Sequence, residues 1–98
     1  MRYLYVVALC ILTGSPSWGA DSIESRYKKT CGICHESSVG GAPKRGDIAA
    51  WFPRIEKGMD VLLESVKNGK GAMPPTGICF DCSVEDYVAL INYMTLPQ

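Results

Sequence analysis

The residues best equipped for chemistry in this 98-residue chain lie in "CGICH", where Cys31 and Cys34 precede the sole histidine, His35. Two thiols and an imidazole at this spacing suit three tasks: clamping a metal ion, forming a redox-active thiol pair, or anchoring a haem covalently. On a helix, positions i, i+3 and i+4 share a face. Cys31 and Cys34 can therefore reach the two vinyl groups on one porphyrin edge, with His35 aimed at the iron. A four-cysteine zinc module would recruit the second pair, Cys79 and Cys82, but 44 residues separate Cys34 from Cys79. Zinc ribbons space their pairs by roughly 15–20 residues, and His35 would have no task in one. A thiol oxidoreductase places its motif after a strand in a βαβ pattern, which the sequence lacks. Cys31 also reads as late in its helix, where the dipole disfavours a thiolate. Haem attachment is the favoured reading.

An anchored haem iron needs a sixth ligand or an open site. With one histidine, bis-histidine ligation within the chain is excluded. Beyond the N-terminal segment the methionines are Met59, Met73 and Met94. Met94 falls on the apolar face of the last helix and reads as core, and Met59 reads as a gap filler at a helix junction. Met73 lies in "GAMPP", where small Ala72 and rigid Pro74 and Pro75 favour an extended loop. Such a loop can lie against a haem face and present a thioether with little entropy left to lose. Met73 is the expected ligand; the alternative is a loop anchor that leaves the iron five-coordinate.

The elements that position these residues read as helices. The first segment has an export pattern: Arg2, the apolar run Leu4 to Leu12, then Pro16 before small Ser17, Gly19 and Ala20. Nine apolar residues are too few to span a bilayer, so a signal peptide over 1–19 and a single domain over 20–98 are expected. Cleavage would leave an exported, soluble chain with no stable membrane insertion. Cys10 leaves with the leader. The remainder carries nine Lys/Arg against ten Asp/Glu, which argues against nucleic acid. Its four cysteines fall into two pairs, each expected to find a covalent or metal partner in an oxidising compartment. A helix is expected from Asp21, as cap, through Cys34, with Ile23, Tyr27 and Cys31 on one face. A glycine-rich loop follows, then Asp47 as a cap, a turn through Trp51 and a short helix from Pro53, ended by Gly58. Asp60 is expected to cap the next helix, with Leu62, Leu63 and Val66 inward. "KGAMPPTGICFDC" reads as structureless. Ser83 with Asp86 caps a last helix whose apolar face is Val84, Tyr87, Val88, Ile91 and Met94. The fold class is all-α.

With "CGICH", "GAP", "WFPRIEKG", "NGKGAMPP" and "CFDCSVEDYVALINYM" in this order, the chain resembles the small bacterial cytochromes c5 over about residues 24 to 95. The resemblance implies a class I cytochrome c fold, three to five short helices wrapped around one covalently bound haem c. It implies thioethers at Cys31 and Cys34, axial ligands His35 and Met73, and a disulfide between Cys79 and Cys82. It also implies that the first and last helices cross, placing Tyr27 near Tyr87 or Ile91. Trp51, through its ring N–H, and Arg54 would contact the haem propionates. The implied function is periplasmic single-electron transfer, without enzymatic turnover, between transiently bound redox proteins that serve as donor and acceptor. Lys28, Lys29, Lys44 and Arg45 could form a basic flank for docking, and Asp81, Glu85 and Asp86 an acidic one. A haem-based sensor or peroxidase-like protein with a labile methionine is the alternative. The chain departs from the family pattern at Ile78, where relatives often carry a second glycine.

Overall fold

The computed structural model describes residues 22–97. The expected leader over 1–19, with Cys10, and the expected cap Asp21 lie outside the described residues. Within them the chain forms five α-helices and two short 3-10 turns, with a single isolated β-bridge between Lys70 and Met73. The all-α expectation holds.

Helix α1, Ile23–Lys29, is capped by Ser22, whose hydroxyl accepts the Ser25 N–H; the expected capping oxygen was that of Asp21. The expected run to Cys34 is broken at Thr30, where φ −128° and ψ −100° leave the helical region. Cys31 then sits at the N-cap of a separate four-residue helix α2, Gly32–His35. Gly32 makes the fold-back feasible. A Cβ there would lie 2.8 Å from the Tyr27 carbonyl oxygen and 2.9 Å from its ring.

Helix α3, Ile48–Ile55, is capped by Asp47, whose carboxylate accepts the Ala50 N–H. It runs unbroken through Trp51 and Pro53, where a turn and a restart were expected. Pro53 has no N–H for the Ala49 carbonyl, but both residues are exposed, so water can satisfy that acceptor. Gly58, at φ 94°, opens helix α4, Met59–Asn68. Asp60 therefore lies inside the first turn and is not the cap. Val66 is buried and Leu62 and Leu63 are partly buried, as their spacing implies. Gly69, at φ 80°, closes α4.

The stretch after α4 has more order than its glycines and prolines imply. Lys70 and Met73 exchange both backbone hydrogen bonds around Gly71 and Ala72, and Pro75–Ile78 forms a 3-10 turn. Helix α5, Val84–Thr95, carries the expected capping box between Ser83 and Asp86. It forms the spine of the core. Leu90 and Met94 pack with Tyr27, Cys31 and Trp51, while Tyr87 and Ile91 pack with Val66 and Cys79. Leu90 is among the most buried side chains, whereas Val84, expected inward, is exposed. The first and last helices pack together. Tyr27, however, meets Tyr93 edge-to-face at 5.0 Å between ring centroids and packs with Leu90 and Met94, whereas the expected partners Tyr87 and Ile91 belong to the other cluster.

Candidate functional site

A cavity of about 380 Å³ opens between α2, α3, α4, α5 and the loop before α5. That volume falls in the range of cofactor pockets, roughly 300–1,000 Å³. Cys31, Cys34, His35, Trp51, Arg54 and Met73 all line it. Drawn from three separate stretches of the chain, all six are brought by the fold to one cavity.

Each is positioned by its element. The turn of α2 sets Cys31 and Cys34 on one side, both as free thiols, Cys31 buried and Cys34 partly so. Burial pushes the Cys31 thiol above its ordinary range, outweighing the Thr30 hydroxyl that donates to it. Cys31 was expected late in a long helix, where the dipole would disfavour a thiolate. It begins a helix instead, and burial keeps it protonated all the same. A low-pKa nucleophile is not what this site provides.

His35 is 8% exposed and ends α2. Its Nδ1 lies 2.8 Å from the Pro43 carbonyl oxygen. A carbonyl can only accept, so Nδ1 carries the proton and Nε2 keeps its lone pair for a metal. Burial, and secondarily the charge of Arg54, hold the imidazole below its ordinary pKa; the Pro43 hydrogen bond opposes them. The ring is therefore neutral near pH 7. Trp51 stacks on it, with centroids 5.5 Å apart and planes 24° from parallel.

The Trp51 ring N–H, expected to meet a propionate, donates to the Lys44 carbonyl at 2.9 Å. Trp51 is a packing and loop-tying residue at 5% exposure. Arg54 donates from one guanidinium nitrogen to the Ala50 carbonyl at 2.6 Å while lining the cavity.

Met73 lines the cavity from the segment between α4 and α5. Its position depends on Gly69, because a Cβ there would lie 2.6 Å from the Met73 carbonyl oxygen. The Met73 methyl sits 3.4 Å from where a Cβ on Gly77 would be, and small residues also meet at Gly40 and Ala72. The donors suit haem: two thiols for thioethers, one neutral imidazole and one soft thioether, in an apolar setting. Pro43 and Gly40 were not singled out from the sequence, and Gly69 was expected only to stop a helix, which it does. The "GAP" string after the histidine was the available signal, but a backbone carbonyl carries no residue-type signature.

Cys79 and Cys82 lie off the cavity and form a disulfide. That removes two of the four thiolates a four-cysteine zinc module would require. The Arg26 guanidinium donates to both sulfurs and pairs with Asp81 at 3.4 Å and Asp86 at 3.9 Å. The acidic group is thus partly neutralised from within. In the basic flank, Lys28 pairs with Glu24 and Arg45 with Glu36.

Comparison with known proteins points to the same cofactor. A family model described as cytochrome c oxidase, cbb3-type, subunit III matches residues 19–94. Cytochrome c5 of Ectopseudomonas mendocina is 41% identical, over 83% of this chain and 95% of that protein. Cytochrome c5 of Azotobacter vinelandii is 42% identical, over 79% and 95%. The chain belongs to the cytochrome c5 family. Among solved structures, a mono-haem ferrocytochrome c from Shewanella putrefaciens superposes with TM-score 0.71 at 47% identity, covering 81% of this chain and 98% of that one. The cytochrome c in an electron transfer complex with nitrite reductase gives 0.68 at 42% identity, covering 76% and 93%. Within this cytochrome c5 fold, the CGICH segment and the methionine loop both line one cavity.

Proposed function

We propose that this chain is a periplasmic one-electron carrier holding one haem c, joined through Cys31 and Cys34 and ligated axially by His35 and Met73. The observation that carries the reading is the convergence of those four side chains on a single apolar cavity. When bound, the haem supplies a reversible one-electron iron couple. The chain's own residues set its character. Cys31 and Cys34 give two covalent tethers, and His35 offers Nε2 because Pro43 holds the proton on Nδ1. Met73 offers a soft thioether, and His/Met ligation raises the potential. The apolar walls disfavour the extra charge of the ferric state. With His35 and Met73 both holding it, the iron would offer no open position to a substrate, which suits a carrier. His35, the only histidine in the chain, is engaged with Pro43, which leaves no distal imidazole for peroxidase-like or sensor chemistry. Arg54 remains the residue assigned to a propionate, through a charge-assisted hydrogen bond.

Partners are other redox proteins, a donor and an acceptor, met in brief encounters of small buried area. The cytochrome c captured with nitrite reductase is a precedent for such a complex. Among the described residues no helix is long and apolar enough to cross a membrane. That fits a chain released into the periplasm after removal of residues 1–19. Intact mass and visible spectra of natively secreted protein test the proposal. One added porphyrin and low-spin six-coordinate spectra with a thioether-to-ferric charge-transfer band are expected. A high-spin ferric spectrum would move the assignment to the sensor alternative, and bare polypeptide would overturn it.

A further inference from the structure

The loop between His35 and Arg45 has little regular structure of its own. Ser38, Gly40 and Gly41 all adopt positive φ, at 57°, 62° and 80°. Such a segment has wide freedom unless it is tied from outside. The Pro43 carbonyl that holds the His35 proton lies inside it.

The tie is a closed set of contacts. The Arg45 backbone N–H donates to the His35 carbonyl at 2.8 Å. Its guanidinium grips the Glu36 carboxylate with two bonds, Nε to Oε2 at 2.9 Å and Nη2 to Oε1 at 3.2 Å. The Tyr27 hydroxyl donates to the same Glu36 oxygen, Oε2, at 2.6 Å. The guanidinium lies over the rings of Tyr27 and Tyr93, 5.5 and 5.1 Å from their centroids. Next along the chain, the Gly46 N–H donates to the Met94 carbonyl at 2.8 Å. Glu36 adjoins His35, and Arg45 lies two residues beyond Pro43. Closing the Glu36–Arg45 fork therefore brings the Pro43 carbonyl up against the imidazole.

We propose that Glu36, Arg45 and Tyr27 are positioning residues for the axial imidazole, setting how firmly Pro43 grips the His35 Nδ1–H and so how strongly His35 donates to iron. The inference rests on His35 being the axial ligand. A firmer Nδ1–H bond makes the imidazole more basic, which favours ferric iron. Loosening the fork therefore raises the potential. A generic surface ion pair would add at most a little stability and would leave the exchange of the His35 Nδ1–H alone. The fork geometry, with the guanidinium over two tyrosine rings, is specific to arginine, so lysine cannot replace it.

The test uses the haem-loaded protein and the variants Glu36→Gln, Arg45→Lys and Tyr27→Phe, the last keeping its core ring. Two quantities are read: the ferrous-to-ferric ratio against a mediator dye, and the His35 Nδ1–H resonance and its solvent exchange in the ferrous protein. Removing a group bonded directly to a metal ligand costs about ten- to a hundredfold; one step further out, a shift of about three- to tenfold toward ferrous iron is expected. The proton should exchange faster in the same variants. Ser83→Ala, which removes the distant α5 cap, should lower stability and move neither quantity. If all three variants follow Ser83→Ala, the proposal is overturned. Absence of a histidine-ligand signature in the unsubstituted protein would instead show that the axial assignment fails.

Discussion

Met73 and Glu36 show how single side chains set the properties of this cytochrome. Met73 supplies the only thioether assigned to the iron. Met73→Ala should give a folded protein with a lower potential and new affinity for small ligands, both read from visible spectra; an unaltered spectrum would mean another sulfur is bound. Glu36 governs acid behaviour. Its hydrogen bonds from Arg45 and, secondarily, Tyr27 hold its carboxyl at about 2. A depressed folded pKa contributes stability that is complete above the usual carboxylate value, about 4.3, and vanishes as pH falls toward 2. Glu36→Gln should therefore flatten the loss of thermal stability across that interval. The group is exposed, so the gap should be modest. At this scale the sequence was legible where chemistry is local: CGICH and Met73 could be picked out by residue type and spacing. The Glu36–Arg45 fork could not, because its partners are joined only through a loop whose left-handed turns the residue types leave open. The Lys44 partner of the Trp51 N–H was hidden for a related reason: it is a backbone carbonyl, and any residue can supply one.

Among the elements, the caps of α3 and α5 were legible because a capping side chain and its N–H lie within one turn. The breaks were not. Thr30 interrupts the first helix with neither glycine nor proline at that position, driven by the packing of Gly32 on Tyr27. Pro53 fails to interrupt α3 because the carbonyl it orphans faces solvent. The methionine loop carries the clearest local conflict. Thr76, Gly77 and Ile78 take positive φ in succession, at 66°, 55° and 58°. A β-branched side chain is poorly suited to that conformation. Ile78→Gly should raise stability by about 0.5–1 kcal/mol, the relief of left-handed strain exceeding glycine's added chain entropy. Gly69→Ala should do the reverse, since its Cβ would strike the Met73 carbonyl. Thermal unfolding of both variants checks the pair of signs. An Ile78→Gly variant less stable than the parent would show that the side chain's cavity contacts outweigh the strain.

At the scale of the whole molecule, the described core divides into two small clusters on either side of α5, with the cavity between the methionine loop and the histidine helix. A domain this small buries a marginal core, and an apolar macrocycle filling the cavity contributes much of what is missing. Haem-free chain should accordingly lack sharp near-ultraviolet dichroism; a sharp spectrum would contradict this. The helical class was legible from caps and periodicity. The cavity was not, because its walls come from segments spread between Thr30 and Met94. That spread also orders events in time. Cys31 is shut in by Leu90 and Met94, which arrive on the last helix. In a haem-free chain that has not packed its last helix, both thiols of CGICH would stay open to attachment, and docking of that helix would close over the product.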